Sequence, residues 1–260
     1  MKQFKTGFIG CGNMASAIIG GMLGAGMPDI YVYDKDDEKA AAFSEATKCS
    51  SVSEVVEQAD IIFFCVKPNV LPQVLCEIKA EDKAFVSIAA GVKIEKIRAG
   101  IKPKARLMRI MPNTPLLVGK GAVCIQSPTD FTQEEQNFIT DVFRPIGMIE
   151  HVSGDMMDAV TGVSGSGPAY VYMFIDALAK AGEKHGLPSD VSLRLAIQTF
   201  EGACKMLTET GESPSQLIHN VCSPGGTTLE AMKIFDINET RGIIEWAVDA
   251  CVAKSEELSK

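Results

Sequence analysis

The chain has 260 residues, of which 46% are hydrophobic and 22% are charged, and its mean hydropathy is +0.12. These values exclude intrinsic disorder as the dominant state, and the length fits about two domains. The net charge of −8 and the pI near 5.0 argue against a nucleic-acid partner, because phosphate contacts need clustered Lys and Arg.

Cysteine and histidine spacing argues against disulfides and against a metal site. The eight cysteines form no Cys-x-x-Cys pair, and surroundings such as Phe63–Val66 are typical of buried thiols in a reducing compartment. The histidines, His151, His185 and His219, are far apart. The uncharged stretch 6–28 resembles a secretion signal, but its glycines interrupt any apolar signal core. We therefore expect a cytoplasmic protein without a metal ion or a membrane span.

The first predicted elements match the opening of a dinucleotide-binding unit. Residues 5–9 read as a short buried strand, residues 10–15 match Gly-x-Gly-x-x-Ala, and residues 14–24 continue as a helix of small residues. The first glycine permits a tight turn, the second lets a pyrophosphate approach the backbone, and the helix N-terminus offers N–H groups to the phosphates. The residues predicted to bind cofactor here are Gly10, Gly12, Asn13 and Met14. An ordinary glycine-rich turn is the alternative.

A second predicted strand, 30–34, ends in an acidic residue about twenty residues after the glycines. At this position the Asp34 carboxylate would hydrogen-bond a ribose diol and repel a 2′-phosphate, which favours NADH over NADPH. The neighbouring Lys35 weakens that inference. A solvated turn at both residues is the alternative.

The chain then alternates between strands and helices. Helices are predicted at 51–59, with a capping box from Ser51 to Glu54, at 69–78 and at 94–99, and strands at 61–66, 85–89 and 106–110. A last strand pair, 122–126 and 148–152, flanks a helix whose start is a capping box from Thr132 to Glu135. The pattern predicts an α/β fold, a doubly wound Rossmann-type parallel sheet with helices on both faces.

Ligands of such sheets bind beyond the carboxyl ends of the strands. The loops there are Val66, Lys67 and Pro68; Ala89, Ala90, Gly91 and Val92; and residues 111–115, which include Asn113. The small residues at 89–91 would let a nicotinamide ring lie close to the backbone, and Lys67 would lie near its ribose. A solvated lysine and a rigid proline-rich turn without ligand contact are the alternatives.

After Ser153 the strand pattern stops, and helices are predicted at 155–161, 168–185, 189–210, 214–221, 228–235 and 239–258. We place the boundary in the glycine-rich run 162–167, which gives an NAD(P)-binding domain at 1–162 and an all-helical domain at 163–260. The helix at 168–185 is too apolar for a bundle of about 100 residues to cover. The pattern therefore predicts at least a homodimer.

One further segment, 222–230, combines Pro224 and two glycines with hydroxyl residues directly before a helix. A capping box from Thr227 to Glu230 is predicted there. Free backbone N–H groups beside hydroxyls suit a substrate carboxylate, which the helix dipole also stabilises. A plain loop-to-helix cap is the alternative.

Five segments together resemble those of pyrroline-5-carboxylate reductases, in order and over essentially the whole chain: 10–15, 66–68, 111–115, 165–170 (GSGPAY) and 223–228 (SPGGTT). The resemblance implies NAD(P)H-dependent reduction of the cyclic imine L-1-pyrroline-5-carboxylate to L-proline, the last step of proline synthesis. It also implies a helical dimerisation domain, with dimers often assembled into larger rings, commonly decamers. Many members lack an acid at the end of the second strand and favour NADPH, so Asp34 leaves the cofactor preference open.

The resemblance also assigns a substrate site by position. The residues are Ser223, Gly225, Gly226, Thr227 and Thr228, and they would hold the substrate carboxylate and ring nitrogen, with the Thr228 hydroxyl closest to that nitrogen. A threonine hydroxyl is too weak an acid to protonate an imine at neutral pH. We therefore expect Thr228 to orient a nitrogen that is protonated beforehand or by water.

Two other functions remain open at this point. A β-hydroxyacid dehydrogenase would share the nucleotide-binding half but use a lysine on a long helix, such as Lys180 or Lys184, and it has no place for the 223–228 loop. A non-catalytic dinucleotide sensor would bind the cofactor without oxidising it. The reductase account expects the glycine turn of the first half and the anion-binding turn of the second half to serve one cleft.

Overall fold

In a computed structural model, which describes residues 3–259, the chain folds into two compact units. The first contains the chain up to Ser166 together with the segment from Ala250 onward, and the second is Gly167–Asp249. The predicted helical domain, 163–260, includes this whole C-terminal segment. The end of the last helix instead packs in the first unit, where Ser255 and Ser259 form hydrogen bonds.

The first unit is built on an eight-stranded sheet with strand order β3-β2-β1-β4-β5-β6-β7-β8. The strands are β1 (Thr6–Ile9), β2 (Ile30–Tyr33), β3 (Thr47–Lys48), β4 (Ile61–Phe64), β5 (Ala84–Ser87), β6 (Arg106–Met111), β7 (Gly121–Gln126) and β8 (Gly147–Val152). Neighbours are parallel except β6 and β7, which pair antiparallel. The predicted Rossmann-type parallel sheet is confirmed, with this one junction as the exception. The connection there is one 3-10 turn, Thr114–Val118, and parallel pairing needs a longer crossover.

Helices cover both faces of this sheet. They are α1 (Asn13–Gly24), α2 (Asp37–Ala41), α3 (Val52–Gln58), α4 (Leu71–Glu77), α5 (Ile94–Gly100), α6 (Gln133–Phe143) and α7 (Met157–Val160). Strand β3 and helix α2 were not predicted, since both are too short to give a clear pattern. The other elements lie within a few residues of their predicted bounds.

The central strands are buried on both faces, as their continuous apolar sequence predicted. In β4, Phe63 points to one face, where its ring stacks on Phe8 at 4.9 Å, and that core includes side chains of α1 and α6. The next residue, Phe64, points to the other face and stacks on Phe85 at 5.2 Å, in a core shared with α3, α4 and α5. Two separate cores therefore fix the sheet and the direction in which its loops leave it.

The two predicted capping boxes of this unit have different outcomes. At α6 the Thr132 hydroxyl and the Glu135 carboxylate each accept the other's backbone N–H, as predicted. At α3 the Ser51 hydroxyl accepts the Glu54 N–H, but the Glu54 carboxylate accepts hydrogen bonds from the N–H and hydroxyl of Ser50. The second box is therefore only half formed, because Ser50 offers two donors.

The glycine-rich run near the predicted boundary is helical. A 3-10 turn, Gly154–Met156, leads into α7, and a π-helical turn, Thr161–Gly165, follows it. π-helical turns are rare in proteins, and those that occur are often located at functional sites. Most of the run is therefore a regular helical turn at the end of the first unit and not an irregular linker.

The second unit contains α8 (Gly167–Lys184), α9 (Ser189–Thr210), α10 (Pro214–Val221), α11 (Thr227–Ile237) and the start of α12 (Thr240–Leu258). The buried residues of α8–α11 are Gly167, Ala179, Ser192 and Ala196. Large apolar side chains are exposed, among them Tyr172, Met173, Ile237 and Trp246. The unit thus has a small core of its own, which agrees with the expectation that another copy covers it.

Residues 3–259 contain neither a membrane-spanning helix nor a cluster of metal-binding side chains. No helix there combines the length and the apolar character needed to cross a membrane. Within the same residues, no three or more His, Cys, Asp and Glu side chains are grouped so that they could hold a metal ion.

Candidate cofactor and substrate sites

The turn between β1 and α1 has the shape that a pyrophosphate needs. Gly10 has a φ of +97°, and a Cβ there would lie 2.7 Å from the Cys65 carbonyl oxygen, so only glycine fits. Gly12 is the N-cap of α1, and a Cβ added to it would meet no atom within 4 Å in the described part of the chain. No side chain of the described residues caps this helix. The first-turn N–H groups therefore face open space that an anion could fill.

Asp34 supports this turn directly. Its Oδ2 accepts a 2.7 Å hydrogen bond from the Cys11 N–H inside the glycine turn, and its Oδ1 accepts one of 2.9 Å from the Asp36 N–H. Burial, and after it the Asp34 charge, raise the pKa of the Cys11 thiol to about 12, so this thiol stays neutral at pH 7. Each carboxylate oxygen has a second lone pair, which leaves Asp34 able to accept hydrogen bonds from a ribose.

The charges around Asp34 are largely neutralised in pairs. Lys39 lies 3.3 Å from the Asp36 carboxylate, and Lys48 lies 2.8 Å from the Asp37 carboxylate. Lys35 is exposed beside Asp34. The end of β2 therefore has more acidic than basic character, which is unfavourable for an additional phosphate.

A pocket of about 280 Å³ lies at the carboxyl ends of β4, β5 and β6. It brings together seven of the predicted cofactor residues: Met14, Val66, Lys67, Pro68, Ala89, Ala90 and Asn113. It is completed by Cys65, Ile88, Met111, Pro112, Thr114 and Gly165. None of these six residues was assigned to the cofactor. Gly165 could not have been, because no local spacing links it to strands that lie more than fifty residues earlier.

Asn113 holds two walls of this pocket together. Its Nδ2 donates to the Ser164 carbonyl at 3.1 Å, and its Oδ1 accepts the Ala122 N–H at 2.9 Å. Gly165 packs closely against Met111, and a Cβ there would require the terminal Cε of Met111 to move. Asn113 was predicted to contact cofactor, and in this structure its amide also fixes the π-helical turn beside the pocket.

The remaining predicted cofactor residues lie outside the pocket. Asn13 is exposed at the start of α1 beside the glycine turn, and Lys35 follows Asp34. Gly91 packs against the end of α12, and its carbonyl accepts a 2.6 Å hydrogen bond from the Ser259 hydroxyl. The lack of a side chain at Gly91 therefore leaves room for the end of α12, whereas Ala89 and Ala90 line the pocket.

The predicted substrate loop belongs to the second unit. Gly225 has a φ of +71°, and the Gly226 N–H donates to the Ser223 carbonyl at 2.9 Å, which closes a tight turn before α11. The loop places the hydroxyl of Ser223, which is exposed, and that of Thr228, which is half-buried, at the start of one helix. Such an arrangement suits a carboxylate.

The capping box predicted from Thr227 to Glu230 is wrong. Helix α11 begins one residue earlier than predicted, at Thr227, and its N-cap is Gly226 in an extended conformation without a side-chain cap. The Glu230 carboxylate is bound by Lys233 at 2.7 Å. Because no described side chain caps this end, the first-turn N–H groups remain available for a ligand.

Both lysines considered for the dehydrogenase alternative are exposed on the surface of α8. Lys180 is exposed and donates to the Asp176 carboxylate at 2.7 Å. This hydrogen bond raises the pKa of Lys180 and holds it in the charged form. Lys184 is exposed at the end of α8.

Comparison with known proteins decides between these possibilities. Residues 154–258 match the family described as pyrroline-5-carboxylate reductase dimerisation, and residues 5–91 match the family described as NADP oxidoreductase coenzyme F420-dependent. The chain is 41% identical to pyrroline-5-carboxylate reductase of Escherichia coli (strain K12), covering 98% of each protein. The chain belongs to the pyrroline-5-carboxylate reductase family. The resemblance stated from its motifs is thereby confirmed.

Other members of the pyrroline-5-carboxylate reductase family are similar over the same length. The Pisum sativum reductase is 39% identical, covering 99% of this chain and 97% of that protein. The Plasmodium falciparum pyrroline carboxylate reductase, whose crystal structure has NADP bound, superposes with a TM-score of 0.93 at 32% identity and covers 100% of both chains. The predicted fold, a Rossmann-type sheet followed by a helical dimerisation region, is that of this reductase family.

Proposed function

We propose that this protein reduces L-1-pyrroline-5-carboxylate to L-proline with NADH or NADPH, the final step of proline biosynthesis. The observation that carries the proposal is the combination, in one chain, of an open glycine turn for a dinucleotide with a dimerisation region of the reductase family. The 41% identity to the Escherichia coli enzyme over nearly the whole chain supports the same reaction.

The first unit supplies the residues that would hold the cofactor. Gly10, Gly12 and the start of α1, with Asn13 and Met14, would bind the pyrophosphate, and Asp34 would bind the adenosine ribose. The pocket formed by Val66, Lys67, Pro68, Ala89, Ala90 and Asn113 would take the nicotinamide end. When bound, the reduced nicotinamide supplies the hydride that adds to the C=N carbon.

The 223–228 loop supplies the residues that would hold the substrate. The first-turn N–H groups of α11 and the Ser223 hydroxyl would bind the substrate carboxylate, and Thr228 would hydrogen-bond the ring nitrogen. Because the Thr228 hydroxyl is a weak acid, the nitrogen is protonated before binding or by water, and Thr228 only orients it. Orientation of the two reacting partners is then the main source of rate acceleration.

We further infer that NADH is the preferred cofactor. A 2′-phosphate would approach the Asp34 carboxylate, and the nearby Lys39 and Lys48 already pair with Asp36 and Asp37. The relative from Plasmodium falciparum binds NADP, so this inference concerns a feature of this chain's own β2 end.

The working assembly is a homodimer at least, and a larger ring such as a decamer is an extension of the same proposal. The exposed apolar residues of the second unit support association through that unit. The eight cysteines are all free thiols, which supports a reducing compartment such as the cytoplasm.

The test is a spectrophotometric assay of the purified full-length protein with L-1-pyrroline-5-carboxylate, run with NADH and NADPH in parallel. We expect imine-dependent oxidation of both cofactors, with the larger kcat/KM for NADH. Cofactor binding without imine-dependent oxidation would support a dinucleotide sensor and overturn the proposal. A larger kcat/KM for NADPH would overturn only the inference drawn from Asp34.

A further inference from the structure

The last turn of α12 presses against the loop that follows β5. Gly91 in that loop has a φ of +70°, and a Cβ there would lie 2.8 Å from the Leu258 Cβ and 2.8 Å from the Ser255 carbonyl oxygen. The Ser259 hydroxyl donates to the Gly91 carbonyl at 2.6 Å. The end of α12 therefore lies so close to the loop backbone that only glycine fits at position 91.

A buried polar chain anchors the same helix end. Ser255 is the only buried residue of α12, all of which the structure describes, and its hydroxyl donates to Asp158 Oδ1 at 2.6 Å. The same oxygen lies 3.6 Å from Nη2 of Arg109, whose side chain is 3% exposed. Burial lowers the pKa of Arg109, and the Asp158 charge opposes that shift. A buried pair of this kind tolerates few other arrangements.

The contacts of Ser255, Asp158, Arg109 and Gly91 link three walls of the 280 Å³ pocket. Arg109 is on β6, which ends in the pocket residue Met111, and Asp158 is on α7, which leads through the π-helical turn to the pocket residue Gly165. Gly91 directly follows the pocket residues Ala89 and Ala90. Ser255 of α12 and Ser259, which directly follows the helix, thus connect the loop at 89–91 to the two other walls.

We propose that Ser255 and Ser259 are positioning residues, which hold the 89–91 loop in the conformation that receives the nicotinamide end of the cofactor. The inference rests on the proposed function, since it assigns that end of the cofactor to the pocket. Neither serine lines the pocket: Ser259 acts through the backbone of the loop, and Ser255 acts through Asp158, which anchors the same helix end. Their loss weakens cofactor binding and leaves the affinity for the imine substrate unchanged.

The test uses Ser259→Ala, because Ser259 is only half-buried and its loss leaves no buried charge without a partner. The conservative variant is Ser259→Thr, which keeps the hydroxyl. The matched control is Ser53→Ala, which removes another serine hydroxyl of the first unit that donates to a backbone carbonyl, that of Glu77 at 3.3 Å. Binding of NADH to each full-length variant is measured by fluorescence titration without substrate, and thermal unfolding is measured in parallel.

We expect Ser259→Ala to raise the Kd for NADH by about 5-fold, the equivalent of one net hydrogen bond. Ser259→Thr restores the wild-type Kd, and Ser53→Ala does not change it. In turnover, Ser259→Ala raises the KM for NADH, whereas the KM for pyrroline-5-carboxylate and the kcat at saturating NADH stay at wild-type values. Wild-type binding by Ser259→Ala, an equal loss in Ser53→Ala, or no recovery in Ser259→Thr would overturn the proposal.

The two proposals fail in different ways. If the wild-type protein binds NADH but does not reduce pyrroline-5-carboxylate, the proposed reaction fails, and the titration of the serine variants still decides whether α12 positions the loop. If the reaction proceeds and Ser259→Ala behaves as wild type, only the positioning role fails.

Discussion

The Cys11 N–H donates a 2.7 Å hydrogen bond to the Asp34 carboxylate, which joins the glycine turn to the end of β2. The same carboxylate accepts the Asp36 N–H through its other oxygen. One acidic side chain therefore fixes the turn that would hold the pyrophosphate and presents the charge that would face a 2′-phosphate. These two roles can be separated by substitution.

Replacing Asp34 by asparagine removes the charge and keeps one oxygen that can accept the Cys11 N–H. We expect Asp34→Asn to raise the ratio of kcat/KM for NADPH over NADH by roughly 10-fold, which corresponds to about 1.4 kcal/mol. Asp34→Ala loses the acceptor as well, so both cofactors should bind more weakly to it. Parallel assays with the two cofactors give the ratio, and an unchanged ratio in Asp34→Asn would remove Asp34 from cofactor selection.

A substitution at Gly12 tests whether a ligand occupies the open space at the start of α1. Its φ of −80° suits any residue, and an added Cβ meets nothing within 4 Å among the described residues. We expect Gly12→Val to fold with an unchanged melting temperature and to bind NADH at least about 10-fold more weakly, because its side chain fills the space for the pyrophosphate.

The control for Gly12→Val is Gly20→Ala, on the exposed side of the same helix, where a Cβ also meets no described atom within 4 Å. This change should stabilise α1 by about 0.5–1 kcal/mol and leave NADH binding unaltered. Full NADH affinity in Gly12→Val, measured by fluorescence titration, would show that the turn does not hold the cofactor.

Thr228 is expected to orient the imine nitrogen. Thr228→Ala should lower kcat/KM for pyrroline-5-carboxylate by the equivalent of roughly 1–3 kcal/mol of transition-state stabilisation, the range for a buried polar contact. The pH dependence of kcat/KM should keep its wild-type shape, because the hydroxyl does not titrate near neutral pH. Steady-state kinetics over a pH series measure both quantities.

The comparison for Thr228→Ala is Thr208→Ala, which removes an exposed hydroxyl on α9 that donates to the Lys205 carbonyl at 3.0 Å. The control should retain wild-type kinetics. Equal kcat/KM in Thr228→Ala and the wild-type protein would exclude a role for this hydroxyl in the reaction.

Association through the second unit can be measured because the sequence has a single tryptophan, Trp246, whose side chain is 63% exposed in the isolated chain. Sedimentation velocity at micromolar concentration should show a dimer or a larger species, with Trp246 emission typical of an apolar environment. Ile237→Glu, at a residue 77% exposed in the second unit, should shift the protein toward monomer and shift the emission to longer wavelength.

Leu117→Glu serves as the control for association, since Leu117 is 55% exposed but lies in the first unit. It should leave the sedimentation coefficient unchanged. A wild-type protein that sediments as a monomer at all concentrations would contradict the expected dimer.

Features that depend on neighbouring residues could be predicted from the sequence. The β1 turn with Gly10, the strand Ile61–Phe64 buried on both faces and the Thr132 capping box all follow from short-range patterns. Capping was less predictable where a competing group was nearby, as at Ser50, or where glycine took the N-cap, as at Gly226.

Features that depend on distant residues could not be predicted in this way. Gly165 reaches the pocket, and Ser255 reaches Asp158, only through the folded sheet. The antiparallel pairing of β6 and β7 is also a tertiary property, which no short-range pattern in either strand indicated. The residues of the 222–230 segment indicated a site for a substrate carboxylate, and the resemblance to a family supplied the identity of that substrate.

The central claim is that a reduced nicotinamide held by this chain transfers hydride directly to the imine carbon of pyrroline-5-carboxylate. The most direct measurement uses NADH deuterated at both C4 positions and mass spectrometry with NMR of the product. We expect L-proline that carries a single deuterium at C5. Unlabelled proline, or oxidation of NADH without proline, would contradict the account.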